Sequence, residues 1–362
     1  MNSSLPIKKG AKVSLGMSGG VDSSLCAALL KEAGYDVTGV YLECWRSPGC
    51  RSEEDRKDAL AVALQLGLPF TVLDFKDAYK EKVVEYFFDE YHKGKTPNPD
   101  VMCNKEIKFG LFYDWAMANG FDFVSTGHYA QVQNDHLVAS VDEHKDQTYF
   151  LYRLISQQLQ HILFPIGHLL KSSVRTEAKK RNILVADKKD SVGICFIGDI
   201  NVHEFLKERL GENPGDVVDT SGRVIGKHTG LWFYTVGQRH GFSIDAVTVI
   251  DGENGASINK HNIPPFYVIK KIPEKNHLVV GFGAETYQAS FYVENIHWIG
   301  AEPSSSELLV RIRHTGELFR CMLRDSRIEL EQPIQGIAEG QSAVFYTRNT
   351  PHVCLGGGVI GG

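Results

Sequence analysis

Between Lys12 and about His128, short runs of β-branched and aliphatic residues take turns with longer stretches of helical period. Lys12 to Met17 reads as a strand and Ser23 to Ala33 as an apolar-periodic helix. Asp36 to Leu42 is followed by Glu54 to Leu66, and Phe70 to Asp74 by Ala78 to His92. The order is βαβαβα. A further strand over 121–126 comes after the helical stretch Lys105 to Ala118 and runs into Gly127-His128-Tyr129. This alternation predicts an α/β fold, a doubly wound parallel sheet with helices on both faces, because each crossover has to return its strand in parallel while covering the sheet. Ligands of such a sheet sit at the strand C-termini.

The pattern changes twice further along. Residues 146–210 read as mostly helical, with Ser172 or Ser173 as N-cap of a helix from Val174 to Arg181 and another helix over Val202 to Leu210. After Gly211, short strand-like runs are broken by Pro214-Gly215, Ser221-Gly222, Asp251-Gly252, Asn254-Gly255 and Pro264-Pro265. Residues 243–265 have little period and read as a loop. The changes divide the chain into a catalytic α/β domain with a helical extension (1–210), a small β-rich central domain (211–280) and a C-terminal β-barrel-like domain (281–362).

Composition narrows the function. The chain has 362 residues, 43% of them apolar, and carries a formal net charge of -5, which excludes a basic coat that binds nucleic acid by charge alone. Any such contact is local, and two segments are rich enough in cations to make one: 171–190, with seven Lys/Arg against three acids, and 311–327, with five Arg against two. Seven cysteines are too few for a disulfide scaffold, and their odd number leaves at least one thiol unpaired, so reduced thiols are the default. The N-terminus lacks a signal-peptide pattern, and the longest apolar runs fall far short of the roughly 20 residues that span a bilayer. A soluble, cytoplasmic protein is expected.

The chemistry starts directly after the first strand, at Gly16-Met17-Ser18-Gly19-Gly20-Val21-Asp22-Ser23-Ser24. Paired glycines let the backbone approach an anion, three serines supply hydroxyls, and the helix that follows aims free N–H groups at the same point. It is a phosphate cradle. An ordinary tight turn would need one glycine and has no use for Asp22 and the serines. It is not a Walker loop, lacking the Gly-Lys-Ser/Thr ending, nor a dinucleotide fingerprint, lacking Gly-x-Gly-x-x-Gly. Two cysteine segments accompany it. In Thr96-Pro97-Asn98-Pro99-Asp100-Val101-Met102-Cys103-Asn104-Lys105, the prolines stiffen the approach and Cys103 falls at the start of a helix, where the helix end and Lys105 favour a thiolate; the alternative, a small buried hydrophobe, suits this polar, proline-bounded setting less well. Asp100 is placed to move a proton if the turn folds it back. In Gly193-Ile194-Cys195-Phe196-Ile197-Gly198, the cysteine taken alone reads better as filler of a buried strand.

Ser-Gly-Gly-Val-Asp-Ser resembles the pyrophosphate loop (PP-loop) of the ATP-pyrophosphatases, adenine-nucleotide α-hydrolase-like enzymes that adenylate a carbonyl oxygen. Together with Asn-Pro-Asp-x-x-Cys-Asn-Lys, Thr-Gly-His-Tyr, Lys-Asp-Gln-x-Tyr-Phe-Leu and Gly-Ile-Cys-Phe-Ile-Gly, it closely resembles one branch of them, the bacterial tRNA-specific 2-thiouridylases of the MnmA family. The similarity continues through Thr235-Val236-Gly237-Gln238-Arg239 and Gly340–Tyr346 to Cys354–Gly358, nearly the whole chain. The resemblance implies ATP bound by Gly16, Met17, Ser18, Gly19, Gly20, Val21, Asp22 and Ser23, with adenine and ribose contacts at Leu42 and Gly127, and Mg²⁺ carried on the triphosphate. It implies that Asn98, Pro99 and Asp100 meet the target base, with Cys103 as nucleophile and Cys195 as persulfide carrier. It places His128, Lys145, Asp146, Gln147, Arg313, His314 and Gln341 on the tRNA.

The implied reaction is adenylation of the C2 oxygen of the wobble uridine in the anticodon arm, then sulfur transfer from a persulfide supplied by a sulfur-carrier protein or cysteine desulfurase. Whether the persulfide attacks C2 directly or is first cleaved by Cys103 stays open; either route leaves a Cys103–Cys195 disulfide. A departure is His314, where the family usually has tyrosine. A metal site is not expected from Cys44 and Cys50, which lack partners at ligand spacing. Trp232, Phe233 and Tyr234 are expected in the core of the central β domain rather than under a base, and a monomer is the default. The rivals are an amidating or ligating synthetase with the same loop, which needs no cysteine pair, and a nucleotide-dependent tRNA-binding module without chemistry.

Overall fold

Strand–helix alternation builds the sheet that the pattern predicts. The computed structural model describes residues 9–46, 51–190, 202–244, 248–250, 257–259 and 265–361. Its first unit runs β1 (Lys12–Gly16), α1 (Val21–Glu32), β2 (Asp36–Glu43), α2 (Ser52–Gln65), β3 (Phe70–Asp74), a helical run α3 (76–92), a second helical run α4 (99–118) and β4 (Phe123–Ser125). A hairpin follows, β5 (Ala130–Gln133) and β6 (His136–Ala139), turned by Asn134-Asp135 with both residues at positive φ. The two-residue β7 (Ile162–Leu163) completes a five-stranded sheet in the order β3-β2-β1-β4-β7, parallel throughout. Val13, Ser14 and Leu15 of β1 are all buried, as a central parallel strand covered on both faces requires.

The stretch 146–210 is less helical than its sequence suggests: it contains β7, a four-residue helix Ser156–Leu159 and two longer ones, α5 (Lys171–Lys180) and α6 (Val202–Leu210). Two-residue β7 is too short to show a period. Nor do Ser172 or Ser173 cap α5. The helix already begins at Lys171, whose N–H donates to the Asp142 carboxylate at 2.9 Å, so a distant acid takes the role expected of a local serine.

The second unit is a sheet of β8 (Gly215–Val218), β9 (Val224–His228), β10 (Ser243–Ile244), β13 (Tyr267–Ile272) and β14 (His277–Gly281), in the order β10-β9-β8-β14-β13. The segment expected to be a loop, 243–265, supplies β10 and an antiparallel pair, β11 (Thr248–Ile250) with β12 (Ser257–Asn259). Strands of two and three residues carry too little alternation to be recognised. The third unit is a closed barrel of β15 (Tyr287–Trp298), β16 (Glu307–Arg311), β17 (Phe319–Arg324), β18 (Arg327–Gln335), β19 (Ser342–Tyr346) and β20 (Cys354–Gly361), in the order β15-β18-β17-β16-β19-β20. Closure leaves no sheet edge open.

The units share cores. Tyr149, Tyr152, Leu154 and Phe109 of the first pack with Leu309, Val344 and Tyr346 of the barrel. Phe205 and Leu206 of α6 join Tyr79, Phe87 and Phe88 of α3, and Trp232 and Phe233 of the central unit pack onto that cluster, with Phe233 stacked on His203 at 4.1 Å. Tyr234 is buried within the central sheet's own core. The triplet was expected in the core of the central unit: Tyr234 lies there, Phe233 is shared between the two clusters, and Trp232 packs instead on the cluster of the first unit.

Candidate active site

At the C-terminal end of β1 the chain turns in four residues into α1, on the line where the sheet's order reverses between β1 and β4. Gly19 has φ +75°, and a Cβ there would lie 2.2 Å from the Asp55 carbonyl oxygen, so both conformation and space demand glycine. Across the crevice, a Cβ on Gly127 would lie 2.8 Å from the Ser23 nitrogen. The loop therefore meets α2 and the end of β4 backbone to backbone. Ser23 Oγ accepts from the Ser18 N–H at 3.2 Å, and Ser24 Oγ donates to the Gly20 carbonyl at 2.8 Å. No side chain caps α1 at Gly20, which leaves the first-turn N–H groups to an anion.

Cations gather round this turn from the segment expected to hold tRNA phosphates. Lys171 Nζ bonds both oxygens of Asp22, at 2.7 and 2.8 Å, and reaches Asp190 at 3.0 Å. Arg175 and Lys145 also pair with Asp190, at 2.5 and 3.3 Å. Lys188 bonds the Gly19 carbonyl at 3.1 Å and pairs with Asp55 and Asp58 at 2.7 and 2.5 Å. Burial works against the charge on Asp190, but its bonds from Lys171 and Lys145 and the charge of Arg175 outweigh it and hold the carboxyl below its usual range. The Tyr129 hydroxyl donates to Asp22 at 2.8 Å, and burial together with that carboxylate keeps its proton on. Three other basic residues of this segment pair elsewhere: Lys179 with Asp187, Lys180 with Glu177, and Arg181 with Glu32. Sequence reasoning missed Lys171, Arg175, Lys188 and Tyr129 as parts of the loop's surroundings. The surplus of cations over 171–190 was the available signal, but not its direction.

The Asn98–Cys103 segment is a helix start. Asn98 Oδ1 accepts from the Val101 N–H at 3.3 Å, and Pro99 takes the first helical position. Cys103 therefore lies a full turn inside α4 rather than at its N-terminus. It is buried beside Tyr79, Val83, Phe87 and Ile107, and from residue 103 to 111 the backbone widens to i→i+5 hydrogen bonding. Lys105, expected to favour a thiolate, pairs with Glu106 at 2.7 Å. The approach to this helix is clamped by the other two units. Thr96 N–H donates to the Glu339 carbonyl at 2.8 Å, Gln341 Nε2 donates to the carbonyls of Thr96 and Pro97 at 2.9 and 3.3 Å, and Thr96 Oγ1 meets Thr235 Oγ1 at 3.3 Å.

Several residues expected on tRNA are held inside the protein. Asp146 is 1% exposed: it pairs with Arg311 at 2.6 Å and accepts from Thr148 Oγ1 at 2.8 Å and from the Ser140 N–H at 3.0 Å. Gln147 Oε1 accepts from the Tyr129 N–H at 2.9 Å. His128 is buried, with Nδ1 2.7 Å from Thr126 Oγ1, and burial drives its pKa well below the usual histidine value. Arg313 is exposed, and its guanidinium donates to the carbonyls of Gln335 and Gly336. His314 lies 4.3 Å, ring to ring, from Phe150, with its Nδ1 buried and without a partner among the described residues. Leu42 is half-buried at the end of β2. Cys195 and Cys50 lie outside the described residues.

Crevice, glycine loop and surrounding cations define a nucleotide-binding α/β domain of the PP-loop type. Family profiles agree along the chain: a tRNA methyl transferase HUP domain over residues 11–199, a tRNA methyl transferase PRC-barrel domain over 203–282 and an aminomethyltransferase beta-barrel domain over 288–360. Relatives named tRNA-specific 2-thiouridylase MnmA are 43% identical in Streptococcus uberis (96% of this chain, 95% of that one) and 43% in Listeria monocytogenes (96% and 94%). In Lactiplantibacillus plantarum the figure is 41%, over 96% and 95%. The chain belongs to the MnmA family of tRNA-specific 2-thiouridylases. Among solved structures, a 4-thiouridine synthetase–RNA complex with bound ATP matches 56% of this chain and 51% of that one at 17% identity, with a TM-score of 0.38 too low to bear weight.

Proposed function

We propose that this chain makes 2-thiouridine at the wobble position of tRNA, spending ATP to activate the base. What carries the proposal is the Ser-Gly-Gly-Val-Asp-Ser loop at the β1–β4 crevice of a chain that matches 2-thiouridylases over nearly its whole length. The family profiles speak of methyl transfer, but a phosphate cradle ringed by Lys171, Arg175 and Lys188 suits a triphosphate and the departing pyrophosphate.

The uridine O2 attacks the α-phosphorus of ATP and pyrophosphate leaves, so that AMP becomes the leaving group at C2. Gly16 to Ser23, with Leu42 and Gly127, hold the nucleotide, and Mg²⁺ travels on the triphosphate, with Asp22 the carboxylate on the loop itself. Asn98, Pro99 and Asp100 present the base. Sulfur arrives as a persulfide on Cys195, from a sulfur-carrier protein or cysteine desulfurase. In one route its terminal sulfur attacks C2 and expels AMP, and the Cys103 thiolate then attacks the Cys195 sulfur, leaving C2=S and a Cys103–Cys195 disulfide. In the other, Cys103 attacks first and releases hydrosulfide, which displaces AMP. Either way two thiols give up the two electrons that reduce the persulfide sulfur, and a dithiol reductant reopens the disulfide.

Asp146, Gln147, His128 and Gln341 serve the tRNA by shaping the walls of its site, while Lys145, Arg313 and His314 face it more directly. The protein works as a cytoplasmic monomer; no described helix is long and apolar enough to cross a membrane. The test is mass spectrometry of tRNA after incubation with ATP, Mg²⁺ and a sulfide source. Sulfur appears at the wobble uridine, pyrophosphate is released only with tRNA present, and Cys103→Ser and Cys195→Ser each abolish the product under persulfide-dependent conditions. A synthetase would keep its ATP turnover in both variants, and a pure binding module would show no turnover at all.

A further inference from the structure

Where the three units meet, a cavity of about 400 Å³ opens between the stretch 93–96, strand β13 and barrel strands β15 and β18. Among the described residues, Lys93, Lys270, Lys271 and Arg327 line it against a single carboxylate side chain, Glu339, in a chain whose net charge is -5. Round the β1 loop, the lysines and Arg175 are matched by carboxylates. Here Lys93 alone is matched, by Glu90 at 2.8 Å. Arg327 reaches only the Ser290 hydroxyl, at 3.3 Å, and Lys271 donates to the Tyr234 carbonyl at 2.9 Å and the Thr96 hydroxyl at 3.5 Å. Among the described residues, neither of these two nor Lys270 has an acid at ion-pair distance. Burial, offset only in part by the charge of Glu339, brings Lys271 down to about 8. Half-exposed Tyr292, paired in register with Arg327, adds an aromatic wall.

Unmatched cations in a concave wall beside an aromatic ring are what a nucleotide phosphate meets in a built site. We propose that this cavity binds the phosphate of a nucleotide unit, separately from the β1 loop, and that its occupant acts on Thr96, the residue that leads into Asn98-Pro99-Asp100. A phosphate beside Lys271 keeps that ammonium charged and donating to Thr96 and Tyr234. The same chemistry comes from two sources, the tRNA backbone or a free phosphate.

The test compares the full-length protein with Lys270→Gln/Arg327→Gln, two exposed positions whose change leaves the fold intact. Unmodified tRNA is titrated across a salt series, and inorganic pyrophosphate and AMP are titrated calorimetrically with the β1 loop already saturated by a non-hydrolysable ATP analogue. If the source is RNA, the variant binds tRNA about tenfold more weakly and the slope of log K against log salt shrinks by about 1 to 2. If the source is free, one equivalent of pyrophosphate or AMP binds the parent protein and is lost in the variant, with tRNA affinity unchanged. Equal binding of all three by parent and variant overturns the proposal. Binding near pH 8 also draws a proton onto Lys271 in the parent, so Lys271→Met abolishes the dependence of the heat on buffer ionisation; a dependence that persists counts against it.

Discussion

Replacing Asp146 with asparagine separates two roles for a residue expected on the tRNA. Asp146 and Arg311 join the first unit to the barrel, with their side chains 1% and 8% exposed and 2.6 Å apart. Asparagine keeps the shape and removes the charge, which strands a buried guanidinium. Removing one partner of a buried pair costs about 3–5 kcal/mol. Arg311 keeps its place over the Tyr346 ring, 5.3 Å from the centroid, and Thr148 can still bond the amide, so the lower end, about 3 kcal/mol, applies. With an m-value of about 3 kcal/mol/M in urea, the unfolding midpoint drops by about 1 M. Tryptophan fluorescence follows it, since Trp298 packs on Phe345 inside the barrel. The double change Asp146→Leu/Arg311→Met regains most of the loss, because two apolar side chains strand no charge. An unmoved midpoint together with weakened tRNA binding would refute the reasoning, since it would mean that Asp146 reaches the RNA.

Other perturbations probe the nucleotide end. Gly19→Ala forces a Cβ against the Asp55 backbone at a left-handed φ, and ATP binding measured by calorimetry falls at least tenfold. Lys171→Met removes the ammonium shared by Asp22 and Asp190, raising the KM for ATP by about 10- to 100-fold while tRNA affinity stays put; the reverse pattern would return the 171–190 cations to the RNA. His128 is neutral when folded and takes a proton when unfolded below about pH 6.5, so stability is full above that value and declines as pH falls toward its lowered folded pKa. Urea midpoints from pH 7 to 5 show the decline, and His128→Gln reduces the slope by about one proton, roughly 1.4 kcal/mol per pH unit.

The sheet was legible because periodicity is a local property: each of β1 to β3 announces itself within five to eight residues, and the glycine loop sits between a strand and a helix that both declare themselves. What escaped is either too short or not local. Two-residue β7 and the three-residue strands within 243–265 carry no measurable period. The Ser172 and Ser173 caps failed because the competing acceptor, Asp142, is thirty residues upstream. The basic count over 171–190 was correct, yet a count has no direction. Lys171 and Arg175, nearest the helix start, reach the acids at the loop, while Lys179, Lys180 and Arg181, one turn or more further along, pair with Asp187, Glu177 and Glu32. Cys103 was placed at a helix start by its prolines, but Asn98 caps the helix early enough to carry the cysteine one turn into a buried cluster.

That burial bears on how the three units act together. A thiol enclosed by Tyr79, Val83, Phe87 and Ile107 cannot reach a base or a persulfide until the segment around it shifts, and the i→i+5 turns at 103–111 are a backbone already wound off the regular helix. What anchors the segment on its other side is Thr96, tied to Glu339 and Gln341 of the barrel and to Thr235 and Lys271 of the central unit. A movement at Cys103 is thus resisted or released from two units that contribute nothing to the nucleotide loop. RNA that docks on the barrel and central sheet is therefore expected to govern exposure of the thiol. Gly340 fits this account: at φ +89°, a Cβ there would strike the Thr96 nitrogen at 2.8 Å, so any side chain pushes the clamp off the very segment it holds. Gly340→Ala should loosen the Thr96–Cys103 segment, with alkylation of Cys103 in the absence of tRNA rising above the parent rate. An unchanged rate would separate the clamp from the thiol.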